Sequence, residues 1–365
     1  MLKKALKILK KLNDHGYEAY IVGGYVRDFL LGRDSSDIDI CTSATPKEVK
    51  EIFHRACLPS EDYGSVILEL GKNRYEITTF RKEIEYAENR KPMEIEYIKD
   101  FKEDLLRRDF TINSICMDYR KNIIDLLEGK KDLEDKKIVV IGDSYTKLSE
   151  DPLRILRAIR FAAILEFELD SELKFAIKRT KNLLSNVSMN RKKDELDKLF
   201  SSNNYHKGIK LIEELGLNEE LQLNNLDLLE NTPFTDVIGV WAVLDVCDIY
   251  PFSNNEKDLI KKIRKVYEGG NITPRTLYDY DLYVNSIAGN LLNIDKKDIV
   301  SMYQNLPIKS RKNLCINGKD IMKILKIEPS KEIEEILKDV EDKILLGQLD
   351  NNRKAISKYI VKNYY

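Results

Sequence analysis

The sequence of 365 residues predicts an α+β fold, a small mixed-sheet head followed by a long all-helical part. Three observations predict it. Runs with strand-like alternation crowd the first third of the chain. After about Asp143 glycines become rare. From there apolar residues recur at helical spacing almost to the C-terminus.

Each element follows from its own pattern. Met1 to Leu12 alternates lysines with Leu and Ile and reads as an amphipathic helix, with Leu2, Leu6, Leu9 and Leu12 on one face. It lacks the unbroken apolar core and cleavage site of a signal peptide. Glu18 to Val22 is an apolar strand that ends at Gly23-Gly24, and a helix is expected over Val26 to Leu31. Ser36 to Ile40 alternates with period two, as a half-buried strand does. Pro46 to His54 is a helix with Thr45 as its N-cap. Ser65 to Leu70 and Arg74 to Phe80 form a hairpin that turns at Gly71. Asn122 to Asp125 is a further strand. In the helical part, one stripe is Leu153, Leu156, Ile159 and Ala163. A second is Ile209, Ile212 and Leu215, stopped by Gly216, and a third is Ile333, Ile336, Leu337 and Val340. The expected division is a head over 1–140, a neck over 141–200, a body over 201–310 and a tail over 311–365.

Composition excludes several classes. Hydrophobic residues are 42% and charged residues 34%, which is the make-up of a soluble globular chain. No run of about 18 apolar residues occurs, so no membrane span is expected. The five cysteines form no CxxC pair and read as reduced thiols of a cytoplasmic protein. Three histidines supply zinc sites and histidine triads poorly. A net charge of −1 argues against a strongly bound polyanion, but distribution matters more than the sum. Glu150 to Lys193 carries ten Lys and Arg against six Asp and Glu, a local +4; Arg311 to the end carries twelve against nine, or +3. Such faces suit a reversible nucleic-acid partner.

The chemistry starts at Asp37 and Asp39. In a strand these residues point to the same face, while Ile38 and Ile40 enter the core. Two anions side by side repel unless a cation lies between them. Oxygen ligands of this kind suit Mg²⁺, which takes one or two carboxylates together with substrate phosphates. Upstream, Gly23-Gly24 opens a strand-to-helix turn whose N–H groups can meet a phosphate, and Arg27 follows to clamp it.

Gly23-Gly-Tyr-Val-Arg-Asp28 followed by Asp37-Ile-Asp39 resembles the head of the class II tRNA nucleotidyltransferase and bacterial poly(A) polymerase family, within the DNA polymerase beta-like superfamily. The resemblance runs on through Glu76-Ile-Thr-Thr-Phe-Arg81, Arg107-Arg-Asp-Phe-Thr-Ile-Asn113 and Glu150-Asp-Pro-Leu-Arg-Ile-Leu-Arg-Ala-Ile-Arg-Phe161, covering roughly residues 18 to 200. Beyond 200, Asn317-Gly-Lys-Asp320 looks like a tail element of CCA-adding members.

Asp151, Arg154, Arg157 and Arg160 fall at steps of three, which on a helix winds them slowly round one surface. An Asp–Arg pair matches an amino donor beside a ring-nitrogen acceptor, the order offered by cytosine and adenine. Guanine and uracil present the reverse and would leave both groups unpaired. The resemblance implies this template role for Asp151 and Arg154, with Arg157 and Arg160 also touching the nucleotide. It implies nucleotide contacts for Gly24, Arg27 and Arg108, sugar contacts for Asp109 and Asn113, catalytic and metal-binding roles for Asp37 and Asp39, and Glu76 as a possible third carboxylate. It further implies a CCA tRNA nucleotidyltransferase that uses Mg²⁺, CTP and ATP on tRNA, with transfer of A alone, poly(A) synthesis and an inactive RNA-binding relative as the competing readings. Glu85 to Pro92 looks like the loop that family members need for the final A. Asn190 stands before Arg191 where the family commonly has an acid, and the chain is somewhat short for the family.

Overall fold

The alternation of Ile38 and Ile40 with two aspartates sets the head's inside and outside. In the computed structural model, which describes residues 1–35, 37–57, 64–86, 92–230 and 232–365, Ile38 and Ile40 are buried while Asp37 and Asp39 face outward; the strand itself starts only at Asp39, later than the expected Ser36, so Asp37 lies in the segment before it. The chain runs through α1 (Leu2–Asp14), β1 (Ala19–Val22), α2 (Gly24–Leu30), β2 (Asp39–Thr42), α3 (Pro46–Ile52), β3 (Ala56–Cys57), β4 (Ser65–Leu70) and β5 (Asn73–Thr79). It continues with β6 (Arg81–Tyr86), β7 (Pro92–Tyr97), α4 (Phe101–Leu106), β8 (Cys116–Met117), β9 (Ile123–Ile124) and α5 (Gly129–Glu134). Seven strands form one sheet in the order β3-β4-β5-β2-β1-β8-β9, and β6 and β7 form a separate ribbon. β2 and β5 are parallel, with Asp39 beside Glu76, and the other neighbours are antiparallel. The sheet is therefore mixed, as expected.

Local chemistry fixes the ends of these elements. Thr45 Oγ1 accepts from the Glu48 N–H at 3.4 Å and the Glu48 carboxylate accepts from the Thr45 N–H at 2.7 Å, a closed capping box on α3. Gly71 turns the β4–β5 hairpin with φ +67°. The buried face of α1 is Ala5, Ile8, Leu9 and Leu12, while Leu2 and Leu6 are only half-buried, so the stripe is rotated from the expected one. Val22, Cys41, Phe80, Phe101, Leu105 and Cys116 form a buried cluster that Tyr20 joins by stacking on Phe101 at 4.2 Å. This cluster seats α4 and so places Arg107, Arg108 and Asp109 just after it. The expected loop Glu85 to Pro92 has its ends in β6 and β7, and its residues 87–91 lie outside the described residues.

The helical part continues with α6 (Ser144–Glu150), α7 (Leu153–Leu165), α8 (Ser171–Thr180), α9 (Met189–Phe200), α10 (Tyr205–Glu214) and α11 (Asn218–Leu221). Helix α7 buries far more than one stripe, with Ile155, Ala158 and Ala162 inside as well as Leu153, Leu156, Ile159 and Ala163. A helix apolar on most sides is a central helix. The chain divides into two compact units, Met1–Gln222 and Leu223–Tyr365. The second holds α12 (Val237–Leu244), α13 (Asn254–Glu268), α14 (Pro274–Leu291), α15 (Lys296–Gln304), α16 (Gly318–Leu325), α17 (Lys331–Leu345) and α18 (Arg353–Tyr364). Its core includes Trp241 against Tyr250, and a buried Glu341 that accepts from Arg311 Nε at 2.7 Å and Tyr278 OH at 2.8 Å. Asn317 caps α16, its side chain accepting from the N–H groups of Lys319 and Asp320 at 2.9 and 3.2 Å. No helix among the described residues is long and apolar enough to cross a membrane.

Candidate active site

Strand β1 delivers the chain to Gly23 at φ +84°, a left-handed conformation that glycine takes without strain. A Cβ placed there would lie 3.7 Å from Asp39 Oδ2, so this turn runs past the β2 carboxylate. Arg27, on the helix that follows, is buried and held by three hydrogen bonds to two side chains. It donates from Nε and Nη2 to the Asp28 carboxylate at 2.9 and 3.0 Å, and from Nη1 to Asn113 Oδ1 at 2.8 Å. Asn113 passes the contact on, donating from Nδ2 to Asp109 Oδ1 at 3.2 Å. Asp109 in turn accepts from Arg157 through both Nε, at 2.9 Å, and Nη2. A continuous chain of charged and amide groups thus joins α2 to α7.

These residues line one cavity of about 420 Å³, a volume within the usual range for small-molecule sites. Its lining comes from three stretches of chain: Gly23, Gly24, Arg27 and Asp39; Arg107, Arg108, Asp109 and Asn113; and Asp151, Arg154, Arg157 and Phe161. Burial would raise the Asp109 carboxyl, but Arg157, Asn113 and the Phe110 N–H outweigh it and hold Asp109 below the usual carboxylate range. Asp39 goes the other way. Lost hydration raises its carboxyl, the Glu76 and Asp37 charges raise it further, and Arg108 opposes them. An all-oxygen site with surplus negative charge is the donor set a hard divalent cation satisfies. Among the described residues no three His, Cys, Asp or Glu side chains come together as a metal cage, so Glu76 completes no three-carboxylate group. The remaining ligands of such a cation would have to come from phosphate or water.

Arg108 also lines this cavity. Its Nη2 donates to Asp104 at 3.1 Å, while its Nε is buried without a hydrogen-bond partner.

The neck differs from its expected form at Asp151. That residue is not on α7: it has φ −138° and ψ 89° between α6 and α7, because Pro152 disfavours helical geometry in the residue before it. Its Oδ1 accepts from the Leu153 N–H at 3.0 Å and its Oδ2 lies 3.4 Å from Arg191 Nη2. Arg154 is buried, with Nη1 donating to the Lys147 carbonyl at 2.9 Å and Nη2 to the Arg107 carbonyl at 3.2 Å. Five N–H donors leave others for a base edge. Arg160 and Asp37 are not among the cavity-lining residues. Arg160 donates to Glu195 at 2.6 Å and its guanidinium lies 4.2 Å from the centre of the Phe161 ring, which Arg27 also faces at 5.1 Å.

Sequence reasoning passed over four residues here. Arg107 and Phe161 stand inside the quoted motifs and were readable as wall residues. Asp104, fully buried, accepts from Arg107 Nε at 2.8 Å and from Arg108, and Glu195 holds Arg160 from another helix. Their partners are set by tertiary packing, which spacing does not encode.

Residues 19–139 match a family model described as the poly A polymerase head domain, and residues 166–225 one described as a probable RNA and SrmB-binding site of polymerase A. Residues 234–360 match one described as a putative tRNA nucleotidyltransferase domain 2. The chain is 34% identical to the CCA-adding enzyme of Streptococcus suis and 36% identical to that of Bacillus pumilus, in each case over 98% of this chain and 96% of the relative. This chain belongs to the CCA-adding enzyme family. The solved structure of the Bacillus stearothermophilus CCA-adding enzyme in complex with CTP matches it at a TM-score of 0.84 and 27% identity, covering 98% of this chain and 96% of that one. A Thermotoga maritima CCA-adding enzyme, at a TM-score of 0.66 and 21% identity, shares the fold. CCA-adding enzymes are nucleotidyltransferases, and such enzymes generally depend on a divalent metal.

Proposed function

We propose that this CCA-adding family member is a CCA tRNA nucleotidyltransferase, adding C, C and A in turn to the tRNA 3′ end from CTP and ATP in the cytoplasm, without a nucleic-acid template. The single observation that carries this reading is the shared cavity, which holds an Asp39 carboxylate, a bank of arginines and the Asp151–Arg154 pair together.

In the reaction the tRNA 3′ oxygen forms a bond to the α-phosphorus. The bond to the pyrophosphate oxygen breaks, pyrophosphate leaves with its electron pair, and the hydroxyl proton is lost to solvent. Magnesium ions held by Asp37 and Asp39, and by phosphate oxygens, would supply an acidified hydroxyl and neutralisation of the leaving group. The chain's own groups do the rest. Gly23 and Gly24 keep side chains out of the path of the triphosphate. Arg27 and Arg108, both on the cavity wall, bind its charge. Asp109 and Asn113 hold the sugar, and Arg157 keeps Asp109 ionised as an acceptor. Asp151 accepts from the base amino group while Arg154 donates to the ring nitrogen, admitting C and A. Arg160 acts through Phe161, whose ring it covers.

The test is incubation of the chain with tRNA lacking CCA, tRNA ending in CC and a generic RNA, each with CTP, ATP or both. Addition of C, C and A to the first substrate is expected. Extension of the CC-ending tRNA alone, or long A tails on any RNA, would refute the assignment. Asp37→Ala should abolish incorporation while leaving tRNA binding nearly unchanged.

A further inference from the structure

The neck carries a group of side chains that the cavity does not use. On helices α6 and α8, which pack together, Tyr145 and Phe175 are 53% and 62% exposed. Folding leaves more than half of each residue in water, although burying aromatic surface is favourable. The opposite side of α8 is fully engaged, with Leu173, Ala176, Ile177 and Thr180 buried. Exposure of Phe175 is therefore not a loose helix but an ordered one that turns an aromatic ring outward.

Arg179 stands one helical turn from Phe175, and its guanidinium carbon is 5.5 Å from the Phe175 ring centre and 5.9 Å from that of Tyr145. Lys178 beside it is also exposed. From Ser171 to Lys181 the chain has Lys174, Lys178, Arg179 and Lys181 against Glu172 alone. Flat rings around a planar cation, on a basic segment, match the two needs of an unpaired nucleic-acid strand. Bases stack on ring and guanidinium faces, and phosphates meet the positive charge. A protein interface core, by contrast, is depleted in lysine. The position is also apt. Tyr145 lies six residues before Asp151, about 9 Å along a helix axis, and the same α6 gives its Lys147 carbonyl to Arg154.

We propose that Tyr145, Phe175 and Arg179 form a stacking platform for unpaired nucleotides of the RNA whose 3′ end enters the cavity. This rests on the reading of the chain as a tRNA nucleotidyltransferase. It goes beyond the match of residues 166–225 to a probable RNA-binding model by naming the side chains and the strandedness of the partner.

Two measurements on the full chain test it. In the first, a Tyr145→Ala/Phe175→Ala double variant extends tRNA lacking CCA. The KM for tRNA is expected to rise about tenfold or more, with the loss falling there and not on the KM for CTP, and Phe175→Tyr should restore tight use of tRNA. In the second, Phe175→Trp adds an exposed indole to a chain whose one tryptophan, Trp241, is buried. Its fluorescence should be quenched by a single-stranded oligoribonucleotide and much less by a blunt RNA duplex. A KM for tRNA within twofold of wild type overturns the platform and leaves the patch to a protein partner. If the double variant shows no extension at all, the indole titration decides: quenching by the single strand supports the platform, and its absence overturns it. Should the wild-type chain extend no tRNA, the functional reading fails, and the titration still reports on the platform alone.

Discussion

The two sides of the cavity are held in different ways. On the sheet side, Asp39 is placed by backbone: it sits on β2 between β1 and β5, with Gly23 at φ +84° passing beside it. The neck arginine Arg157 is instead held by side chains, through a run that starts on the head at Arg27, Asn113 and Asp109 and ends at Glu195, which lies 3.6 Å from Arg157. A strand carboxylate can be displaced only by refolding the strand. A guanidinium is displaced by removing one partner. Damage on the sheet side should therefore be all-or-none in chemistry, and damage on the neck side graded and visible as lost positioning.

The largest expected effect comes from the sheet side. Asp39→Ala should lower CTP and ATP incorporation by about a thousandfold or more, while filter binding of tRNA changes little. Retention of a tenth of the rate would erase the contrast between the two sides. For the side-chain run, Asp109→Asn leaves the neck residue Arg157 facing a neutral amide in a largely buried setting. It should cost about 2–3 kcal/mol in urea unfolding and lower activity only in part. The same residue predicts a pH effect. Its folded carboxyl titrates below the ordinary 3.8, so its contribution to stability is complete above that value and is lost as pH falls through the folded one. Thermal unfolding of the wild type should therefore weaken more steeply below pH 4 than that of Asp109→Asn; equal slopes would remove Asp109 from the account. The smallest effect is expected at Gly23→Ala, about 1–2 kcal/mol of backbone strain, with reduced but measurable activity, because the new methyl reaches Asp39 only at ordinary contact distance.

Much of the sheet side was legible in the sequence because strand alternation and glycine turns are local rules. Ile38 and Ile40 went inward, and the hairpin turned at Gly71. The helical start at Pro46 with Thr45 as cap also needed only neighbours. The neck side was less legible. Steps of three suggested that Asp151 shares a helix with Arg154, whereas Pro152 breaks the helix between them, a local rule that was present and outweighed by the spacing. Arg160 has the spacing of a wall residue yet turns to Glu195, a partner 35 positions away that no local pattern specifies. The parallel pairing of β2 with β5 is likewise a long-range fact, and it brings Glu76 beside Asp39 without completing a three-carboxylate group among the described residues.

The central claim is that one wall transfers the nucleotide and another chooses it. The most direct test is the ratio of CTP to UTP incorporation into tRNA lacking CCA by Asp151→Asn. An amide can donate to the uracil carbonyl where the carboxylate could only repel it. The account predicts a fall in that ratio of about tenfold or more, with C addition still measurable. An unchanged ratio would contradict it and remove the base choice from this wall of the cavity.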